Sequence, residues 1–304
     1  MDTTAGHRRD LWIGILFMGS AAALFPVKDA FVKAASGSIT PVEATLVYYF
    51  TQGVTTLLWS LGLKTRRRFG QLFMSLRPLF LIRTMFQVLT IILFFISIQN
   101  ANLAESVILF TSNALFLVVL SWLILKESMS LRKMAVTCLG FVGVLIVMSP
   151  HIHSFGNAYL WYAFASAFTF AIYLLTTKTL GKTYPPREML LVDGVLGTCL
   201  CLICLLVWTF LTNIEITLIG AAPRLIGFLV LSGMIGTVSA LLVVIAMKKA
   251  PASVVAPLGY VEIVSAAIIG YLFFKETIGF TTIIGCMIIL GMSWLSGRIE
   301  TSKP

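Results

Sequence analysis

Charged side chains interrupt the apolar stretches of this chain, and they are the first candidates for its chemistry. The first stretch contains Pro26, Lys28 and Asp29. If it crosses a bilayer, a charged side chain near the centre costs about 2.5–3.5 kcal/mol on insertion scales and needs a partner or a function. Lys28 and Asp29 project about 100° apart on a helix, which predicts separate partners or a place on a cavity wall. Two interpretations stay open: a substrate path through this stretch, or an ion pair near the outer interface.

A second polar group follows one face of a predicted helix. Arg83, Gln87, Thr90 and Phe94 are spaced by four, three and four residues, which places them on one side of that helix. The planar guanidinium of Arg83 matches a carboxylate, so it is a candidate counter-charge at the cavity or at its cytoplasmic mouth. The alternative is that Arg83 extends along the helix to the membrane surface.

A third candidate is an acid in the second half of the chain. Glu262 lies near the middle of an apolar stretch, and Asn113 stands at the equivalent position 149 residues earlier. Three roles are open for Glu262: a proton carrier, a ligand for a substrate ammonium group, or a protonated group that hydrogen-bonds between helices. Asp29 and Glu262 are the two candidates for proton coupling.

Aromatic residues in the same stretches suit a cavity for aromatic or aliphatic cargo. Phe25 and Tyr173 lie 148 residues apart and occupy equivalent places in the two halves. For each aromatic residue, packing within a helical bundle is the alternative. The residues predicted to line a substrate cavity are Phe25, Lys28, Arg83, Phe86, Gln87, Thr90, Asn113, Phe170, Tyr173, Tyr260 and Glu262.

The composition indicates that these residues lie in a membrane and not in water. Of 304 residues, 59% are hydrophobic and only 11% are charged, and the mean hydropathy is +0.98. Soluble proteins carry about 25% charged residues, and a β-barrel would alternate apolar and polar residues over short segments. The net charge of +10 comes from basic residues in short loops. This placement is typical of membrane topology and not of a nucleic-acid-binding face.

Three of the five cysteines, Cys199, Cys201 and Cys204, are closely spaced within one apolar stretch. In such a stretch cysteine is usually a small hydrophobic residue. The sequence therefore predicts neither a metal site nor a cofactor.

Apolar stretches of about 20 residues are long enough to cross the bilayer as helices. Between charge clusters and turn residues the sequence contains ten of them. They are residues 11–33, 41–63, 76–98, 102–125, 131–148, 158–180, 188–212, 224–248, 251–274 and 280–297. The connecting loops are too short to fold by themselves, so the prediction is an all-α polytopic membrane protein with ten transmembrane helices.

The basic residues predict the orientation of these spans. Of 22 Lys and Arg residues, 17 fall on the side of the termini and three on the other side. Because cytoplasmic loops are enriched in Lys and Arg, both termini are predicted to be cytoplasmic. The expected location is the inner membrane of a bacterial cell, crossed many times.

The two halves of the chain share a pattern. Residues Trp122–Glu127 (WLILKE) end the fourth span, and Tyr271–Glu276 (YLFFKE) end the ninth, 149 residues later. A unit of five spans inserts its second copy upside down, so residues 1–150 and 151–304 are predicted to be inverted repeats. Many secondary transporters have this architecture, with the substrate near the bilayer midplane.

Five plus five spans, a Lys-Glu pair after spans four and nine, and glycine-spaced fifth and tenth spans resemble the EamA-type members of the drug/metabolite transporter superfamily. The resemblance implies ten helices around a central cavity and alternating access by two inverted halves. It also implies export of amino acids and other small metabolites, with aromatic amino acid exporters among the most similar. In one respect the chain departs from the family: Ala114 and Ile263 stand where members often have proline. Pro257 is a candidate for one kink.

No nucleotide-binding loop, zinc-protease motif or nucleophile elbow is present in the sequence, which disfavours an enzyme. The predicted function is a secondary transporter, working as a monomer, that moves small zwitterionic metabolites out of the cell. Aromatic or other neutral amino acids are the first candidates, with protons as a possible counter-ion. The alternative keeps the fold and changes the cargo to a nucleoside, a cofactor-like molecule or a cationic drug.

Overall fold

A computed structural model describes residues 3–62, 78–126, 131–152, 158–212, 216–255, 258–259, 261–276 and 279–301. Within these ranges the chain forms helices and no strands. A short 3-10 helix, Thr217–Gly220, precedes α9. The α-helices are α1 Thr3–Ala34, α2 Pro41–Gly62, α3 Pro78–Asn100, α4 Leu103–Phe110, α5 Asn113–Leu125, α6 Leu131–Ile152, α7 Tyr159–Gly181, α8 Pro186–Thr212, α9 Pro223–Lys249, α10 Ala252–Val255, α11 Val261–Phe274 and α12 Phe280–Thr301.

These helices coincide with the ten predicted spans, because α4 with α5 and α10 with α11 are the halves of two broken spans. Six segments are by themselves long and apolar enough to cross a membrane: Arg9–Ala34, Pro78–Asn100, Leu103–Ile124, Tyr159–Gly181, Pro186–Phe210 and Pro223–Lys249. Large apolar side chains such as Leu58, Ile203 and Phe210 are exposed on the outside of the bundle. Water does not tolerate so much exposed apolar surface, whereas lipid does. The predicted all-helical polytopic membrane fold is confirmed.

Local sequence explains where several helices begin and where one breaks. Four helices start at proline, whose missing N–H would have no partner in the first turn of a helix. Between α4 and α5, the hydroxyl of Thr111 donates to the Ile108 carbonyl (2.6 Å) and that of Ser112 donates to the Leu109 carbonyl (2.6 Å). Hydroxyl side chains bonded to nearby carbonyls bend helices inside a membrane. The fourth span therefore bends at Thr111 and Ser112, without the proline that the family often has at Ala114. Pro257 lies outside the described residues.

The two ends of the bundle are distinguished by contacts between helix ends. At one end Lys249, the last residue of α9, pairs with Asp10 near the start of α1 (2.7 Å). We call this end the terminal face. At the other end Lys33, near the end of α1, donates to the carbonyl of Ala101, just after α3 (2.7 Å). We call it the opposite face. Helices α3 and α8 therefore start at the terminal face, and α7 ends there.

The most extensive packing joins helices that are far apart in sequence. Helix α1 packs along α9, α3 along α7, α2 along α8 and α6 along α12. Helices α2 and α8 approach closely at glycines, since a Cβ atom on Gly194 would lie 2.5 Å from the Cα of Gly53. A Cβ on Gly197 would lie 2.4 Å from the Tyr49 ring. This close approach fixes the position of α2.

Replacing Gly194 with alanine tests the close approach of α2 and α8. The added methyl group meets backbone atoms that cannot move aside, so we expect a loss of about 1–3 kcal/mol in stability, as for other overpacked sites. The measurement is the thermal unfolding midpoint in detergent. Gly227→Ala on α9 is the control, because nothing lies within 4 Å of its Cβ position. Equal midpoints for the two variants would contradict the packing described here.

Candidate functional site

A cavity lies in the middle of the bundle, between the two faces. Its walls come from seven helices, so it is formed only when the spans assemble. The lining residues are Phe25, Lys28 and Asp29 of α1, Tyr48 of α2, Gln87, Thr90, Ile91, Phe94 and Phe95 of α3, Phe110 of α4, Phe170 and Tyr173 of α7, Ala240 and Val243 of α9, and Glu262 of α11.

Three charged groups form part of this wall: Lys28, Asp29 and Glu262. Lys28 and Asp29 are buried and form an ion pair with each other through Asp29 Oδ1. The prediction of separate partners is therefore wrong, whereas the cavity-wall alternative agrees with their position. Asp29 Oδ2 is buried and has no hydrogen-bond partner in the described part of the chain. Glu262 is 4% exposed and lines the same cavity, which thus holds one amine and two carboxyl groups.

Aromatic rings surround the charged groups. The Lys28 amine lies 5.5 Å from the centroid of the Phe25 ring and 5.4 Å from that of Phe95, within the range of cation–π attraction. Phe110 and Phe170 lie 5.0 Å apart, and Phe170 stacks on Tyr173 at 5.5 Å. The cavity therefore combines a large aromatic surface with a few charged groups.

On α3 the structure separates the predicted polar face into two parts. Gln87 and Thr90 line the cavity, and Gln87 Oε1 has no partner among the described residues. Arg83 lies one helical turn nearer the terminal face, is 0% exposed, and is not part of the cavity wall. It does not extend to the membrane surface either.

Arg83 is held by partners on two neighbouring helices. Its Nη1 lies 2.6 Å from Asp193 Oδ1 on α8 and also donates to the Met189 carbonyl (3.3 Å). On α7 it donates from Nε to Thr177 Oγ1 (2.8 Å) and from Nη2 to the Tyr173 hydroxyl (3.1 Å). A buried ion pair of this kind is stable only when such additional hydrogen bonds satisfy its remaining groups.

The other predicted cavity residues lie elsewhere. Phe86 is half-buried on α3, outside the cavity wall. Asn113 starts α5, where its side-chain amide donates to the Phe110 carbonyl (2.7 Å), and it does not line the cavity. Tyr260 lies outside the described residues. The structure brings the remaining seven together with Asp29: Phe25, Lys28, Gln87, Thr90, Phe170, Tyr173 and Glu262.

Sequence reasoning missed several residues of the site. Tyr48, Phe95 and Phe110 line the cavity, although nothing in their spacing separates them from aromatic residues that pack elsewhere. The sequence analysis does not assign Asp193 either. Its position inside an apolar stretch is a usable signal, because an acid there needs a cation and Arg83 is one of two basic residues that lie away from the ends of the predicted spans.

Acidic side chains also join helices at the opposite face. Glu276 pairs with Lys33 (2.7 Å) and accepts a hydrogen bond from the backbone N–H of Leu103 at the start of α4 (3.0 Å). Glu43 caps the start of α2 and accepts from the N–H of Leu218 (2.9 Å), in the turn before α9. The cavity therefore has charged contacts between helices on both sides.

No group of three or more His, Cys, Asp or Glu side chains is arranged to hold a metal ion within the described ranges. The closely spaced cysteines of α8 do not converge, because Cys199 and Cys204 are exposed while Cys201 is buried.

A helical membrane bundle around a cavity with charged and aromatic walls belongs to the class of polytopic membrane proteins that bind a small molecule within the bilayer. The chain is a member of the EamA-like transporter family, which matches residues 12–149 and 157–297. The resemblance to the drug/metabolite transporter superfamily is thereby confirmed. The protein is a transporter of a small metabolite.

Relatives of known name are bacterial. The chain is 25% identical to an uncharacterized transporter of Helicobacter pylori, over 96% of this chain and 99% of that one. It is 26% identical to an S-adenosylmethionine uptake transporter of Rickettsia prowazekii, over 58% of this chain and 56% of that one. It is 24% identical to the pseudopaline exporter CntI of Pseudomonas aeruginosa, over 91% and 93%.

A solved crystal structure has the same fold, with a TM-score of 0.71 over 96% of this chain and 99% of that one. The two sequences are 15% identical, so this likeness concerns the fold alone.

The Arg83–Asp193 pair gives a stability prediction. Removing one partner leaves a buried unpaired charge, so Asp193→Asn should lower the free energy of unfolding by about 3–5 kcal/mol. The double variant Arg83→Met with Asp193→Leu should recover most of that loss. Thermal unfolding in detergent measures both effects. Asp10→Asn is the control, because it breaks an exposed pair worth about 0–1 kcal/mol. A double variant as unstable as Asp193→Asn would contradict direct pairing.

Proposed function

We propose that this protein is a secondary transporter that moves small zwitterionic metabolites out of the cell by alternating access to its central cavity. Amino acids with aromatic or other neutral side chains are the first cargo to test. The observation that carries the proposal is the group formed by Lys28, Asp29 and Glu262 in a wall of aromatic rings.

The Lys28–Asp29 pair lies in the cavity wall, where the charges of a bound substrate would meet it. In the proposed mechanism the substrate carboxylate binds Lys28, and its ammonium group binds the Asp29 carboxylate, with the carboxyl group of Glu262 as a further hydrogen-bond acceptor. A zwitterion brings one charge of each sign, so every buried charge keeps a partner when the internal pair opens. A singly charged molecule would leave Lys28 or Asp29 without one, which is costly in a buried site.

The aromatic wall supports a preference for cargo with an aromatic or aliphatic side chain. Phe170 and Tyr173 form a stacked surface on one side of the cavity, and Phe25 meets Phe170 edge-on at 6.5 Å. An aromatic or aliphatic side chain would gain about 25 cal/mol for each Å² that it buries there.

The named relatives support a metabolite with an amino acid head group. One is named for uptake of S-adenosylmethionine, a molecule that combines an amino acid head group with an aromatic base. Another is named as an exporter of pseudopaline. One of these names refers to uptake and the other to export. We therefore base the proposal of export on the resemblance to amino acid exporters.

Alternating access is supported by the repetition in the packing. If residues 1–150 and 151–304 are inverted repeats, the packing of α1 on α9 and of α7 on α3 are equivalent contacts. The contacts of α2 with α8 and of α6 with α12 then join equivalent helices across the pseudo-twofold axis. Lys126 and Lys275, 149 residues apart, end α5 and α11 with the same left-handed backbone, at φ 54° and 55°. Two such halves can rock about the cavity between them.

We further propose that the terminal face is cytoplasmic and that the protein resides as a monomer in the inner membrane of a bacterial cell. The support is the excess of Lys and Arg on the side of the termini, since short cytoplasmic loops are rich in these residues.

A second candidate cargo is a cationic, cofactor-like or nucleoside-like metabolite. It is favoured by the excess of two carboxyl groups over one amine in the described cavity wall, and by the acceptors Asp29 Oδ2 and Gln87 Oε1, which have no partner among the described residues. Cation–π attraction to the surrounding rings would add to the binding of a cation.

Counterflow in proteoliposomes tests the proposal with matched molecules. The panel contains an aromatic amino acid, its decarboxylated amine and its deaminated acid, with zero net pH gradient. We expect rapid counterflow of the amino acid, and rates at least tenfold lower for the other two, the factor that corresponds to about 1.4 kcal/mol. Lys28→Met should abolish counterflow, while Lys249→Met, at the exposed pair with Asp10, should not. Transport of the amine alone would favour the cationic cargo.

Proton exchange is proposed to use Asp29 or Glu262, because a proton and a substrate ammonium group can compete for the same carboxylate. Glu262→Gln or Asp29→Asn should then abolish the dependence of flux on an imposed pH gradient, while counterflow continues at substrate concentrations high enough to offset the lost ammonium contact. The measurement is amino acid flux with and without the gradient, and Asp10→Asn is the control. Preserved pH dependence in both cavity variants would rule out this form of coupling.

A further inference from the structure

We propose that Tyr173 is a positioning residue that links occupancy of the cavity to the buried Arg83–Asp193 pair and thereby controls opening at the terminal face. The inference rests on the proposed function for its response to substrate. The proposed closing contact at the terminal face does not depend on which substrate the protein transports.

Tyr173 is placed to sense the cavity. Its ring is part of the wall and stacks on Phe170. On its other side, its hydroxyl accepts a hydrogen bond from Arg83 Nη2 (3.1 Å), and Arg83 Cζ lies 4.7 Å from the ring centroid. Among the partners of Arg83 in the described part of the chain, Tyr173 is the one that also lines the cavity.

The Arg83 contacts close the route from the cavity to the terminal face. They join α3 to α7 through Tyr173 and Thr177 and to α8 through Asp193, and all four side chains are at most 1% exposed. Beyond them, toward the terminal face, lies an apolar cluster made of Phe80, Leu180, Met189, Val192 and Val244. Opening this face requires α3 and α7 to separate, and the Arg83–Tyr173 hydrogen bond opposes that movement.

Asp193 has an unused oxygen that gives Arg83 a second arrangement. Asp193 Oδ1 contacts Arg83 Nη1 and accepts from the Thr84 hydroxyl (2.9 Å), while Oδ2 is buried without a partner in the described residues. Arginine and carboxylate groups often form two parallel hydrogen bonds. Arg83 Nη2 donates to the Tyr173 hydroxyl as observed; in the second arrangement the guanidinium turns so that Nη2 leaves Tyr173 and donates to Asp193 Oδ2 instead.

These two arrangements form the switch that we propose. When a substrate contacts the Tyr173 ring or its hydroxyl, Arg83 Nη2 transfers from Tyr173 to Asp193 Oδ2. Arg83 then loses one of its two hydrogen bonds to α7 and keeps the bond to Thr177, which weakens the contact between α3 and α7, while the charge of Arg83 stays paired with α8. Substrate binding can shift an equilibrium only through different contacts in the two states, and Tyr173 supplies that difference.

The test measures access to the terminal side with a cysteine reporter. In full-length protein whose five native cysteines are replaced by alanine, Val244→Cys reports on the apolar cluster at the terminal side. The rate of its modification by a polar thiol reagent is measured in detergent. Ile98→Cys, buried near the opposite-face end of α3, is the second reporter. It separates opening at one face from general loosening of the bundle.

Tyr173→Phe is the central variant, and it keeps the ring but removes the acceptor for Arg83. Without substrate, we expect the rate at Val244→Cys to rise about tenfold, as for loss of one hydrogen bond to a charged group, and the rate at Ile98→Cys not to rise. Tyr49→Phe is the matched control, because it loses a buried hydroxyl that has no hydrogen-bond partner among the described residues and does not line the cavity. In this control Val244→Cys should be modified at the wild-type rate.

The second part of the experiment repeats these measurements in the presence of substrate, which is the amino acid identified by counterflow. Substrate should accelerate modification at Val244→Cys in the wild type and in Tyr49→Phe, and give no further increase in Tyr173→Phe. The Tyr173→Phe variant should keep its KM within about twofold while its maximal rate falls about tenfold, because binding is intact and closure is impaired.

The outcomes separate this inference from the proposed function. Unchanged modification of empty Tyr173→Phe at Val244→Cys, or an equal rise at Ile98→Cys, overturns the switch whatever the cargo is. A raised KM with a normal maximal rate also overturns it, since Tyr173 would then be a substrate contact only. If no compound in the panel is transported, the proposed function fails, and the substrate-free comparison still decides the inference.

Discussion

The structure depends on one constraint: a charge within an apolar bundle must have a partner of opposite charge. An unpaired charged side chain at the bilayer centre costs about 2.5–3.5 kcal/mol on insertion scales, and breaking a buried pair costs about 3–5 kcal/mol. Both basic side chains that lie away from the ends of the predicted spans obey it, since Lys28 pairs with Asp29 and Arg83 pairs with Asp193. These pairs determine which faces of α1, α3 and α8 turn inward. The close packing of glycine and aromatic residues then follows from that arrangement.

The two pairs have different surroundings, and the difference separates binding from closure. The Lys28–Asp29 pair borders the cavity, with a second carboxyl group at Glu262 and rings that accept a cation or an apolar group. Another charged molecule can replace one of its partners. The Arg83–Asp193 pair has no such space, because hydrogen bonds from two helices surround Arg83 and an apolar cluster lies beyond it. The first arrangement suits exchange of partners with a ligand, whereas the second holds helices together.

The sequence was sufficient to predict features that depend on local pattern and composition. The spans follow from apolar length, and the inward face of α3 follows from the spacing of Gln87 and Thr90, both of which line the cavity. The sequence was insufficient to predict contacts between residues that are distant in the chain and close in the folded structure. Arg83 and Asp193 are 110 residues apart, and their pairing moves Arg83 out of the cavity in which spacing alone had placed it. The same limit applies to Asn113, which bonds to its own helix end, and to Phe95 and Phe110, which resemble any other aromatic residue in an apolar stretch.

Charged contacts on both sides of one cavity agree with a protein that opens one face at a time. At the opposite face, Lys33 and Glu276 join the ends of α1 and α11 to the start of α4, and at the terminal face Arg83 joins α3 to α7 and α8. Under the proposed division into repeats, each set of contacts joins helices from different halves. Opening one face disrupts one set and leaves the other to hold the halves together. Opening both at once would disrupt both, and would leave more buried charge without a partner than substrate binding can compensate. The pairing rule that positions the helices thus also supplies a physical reason for alternation.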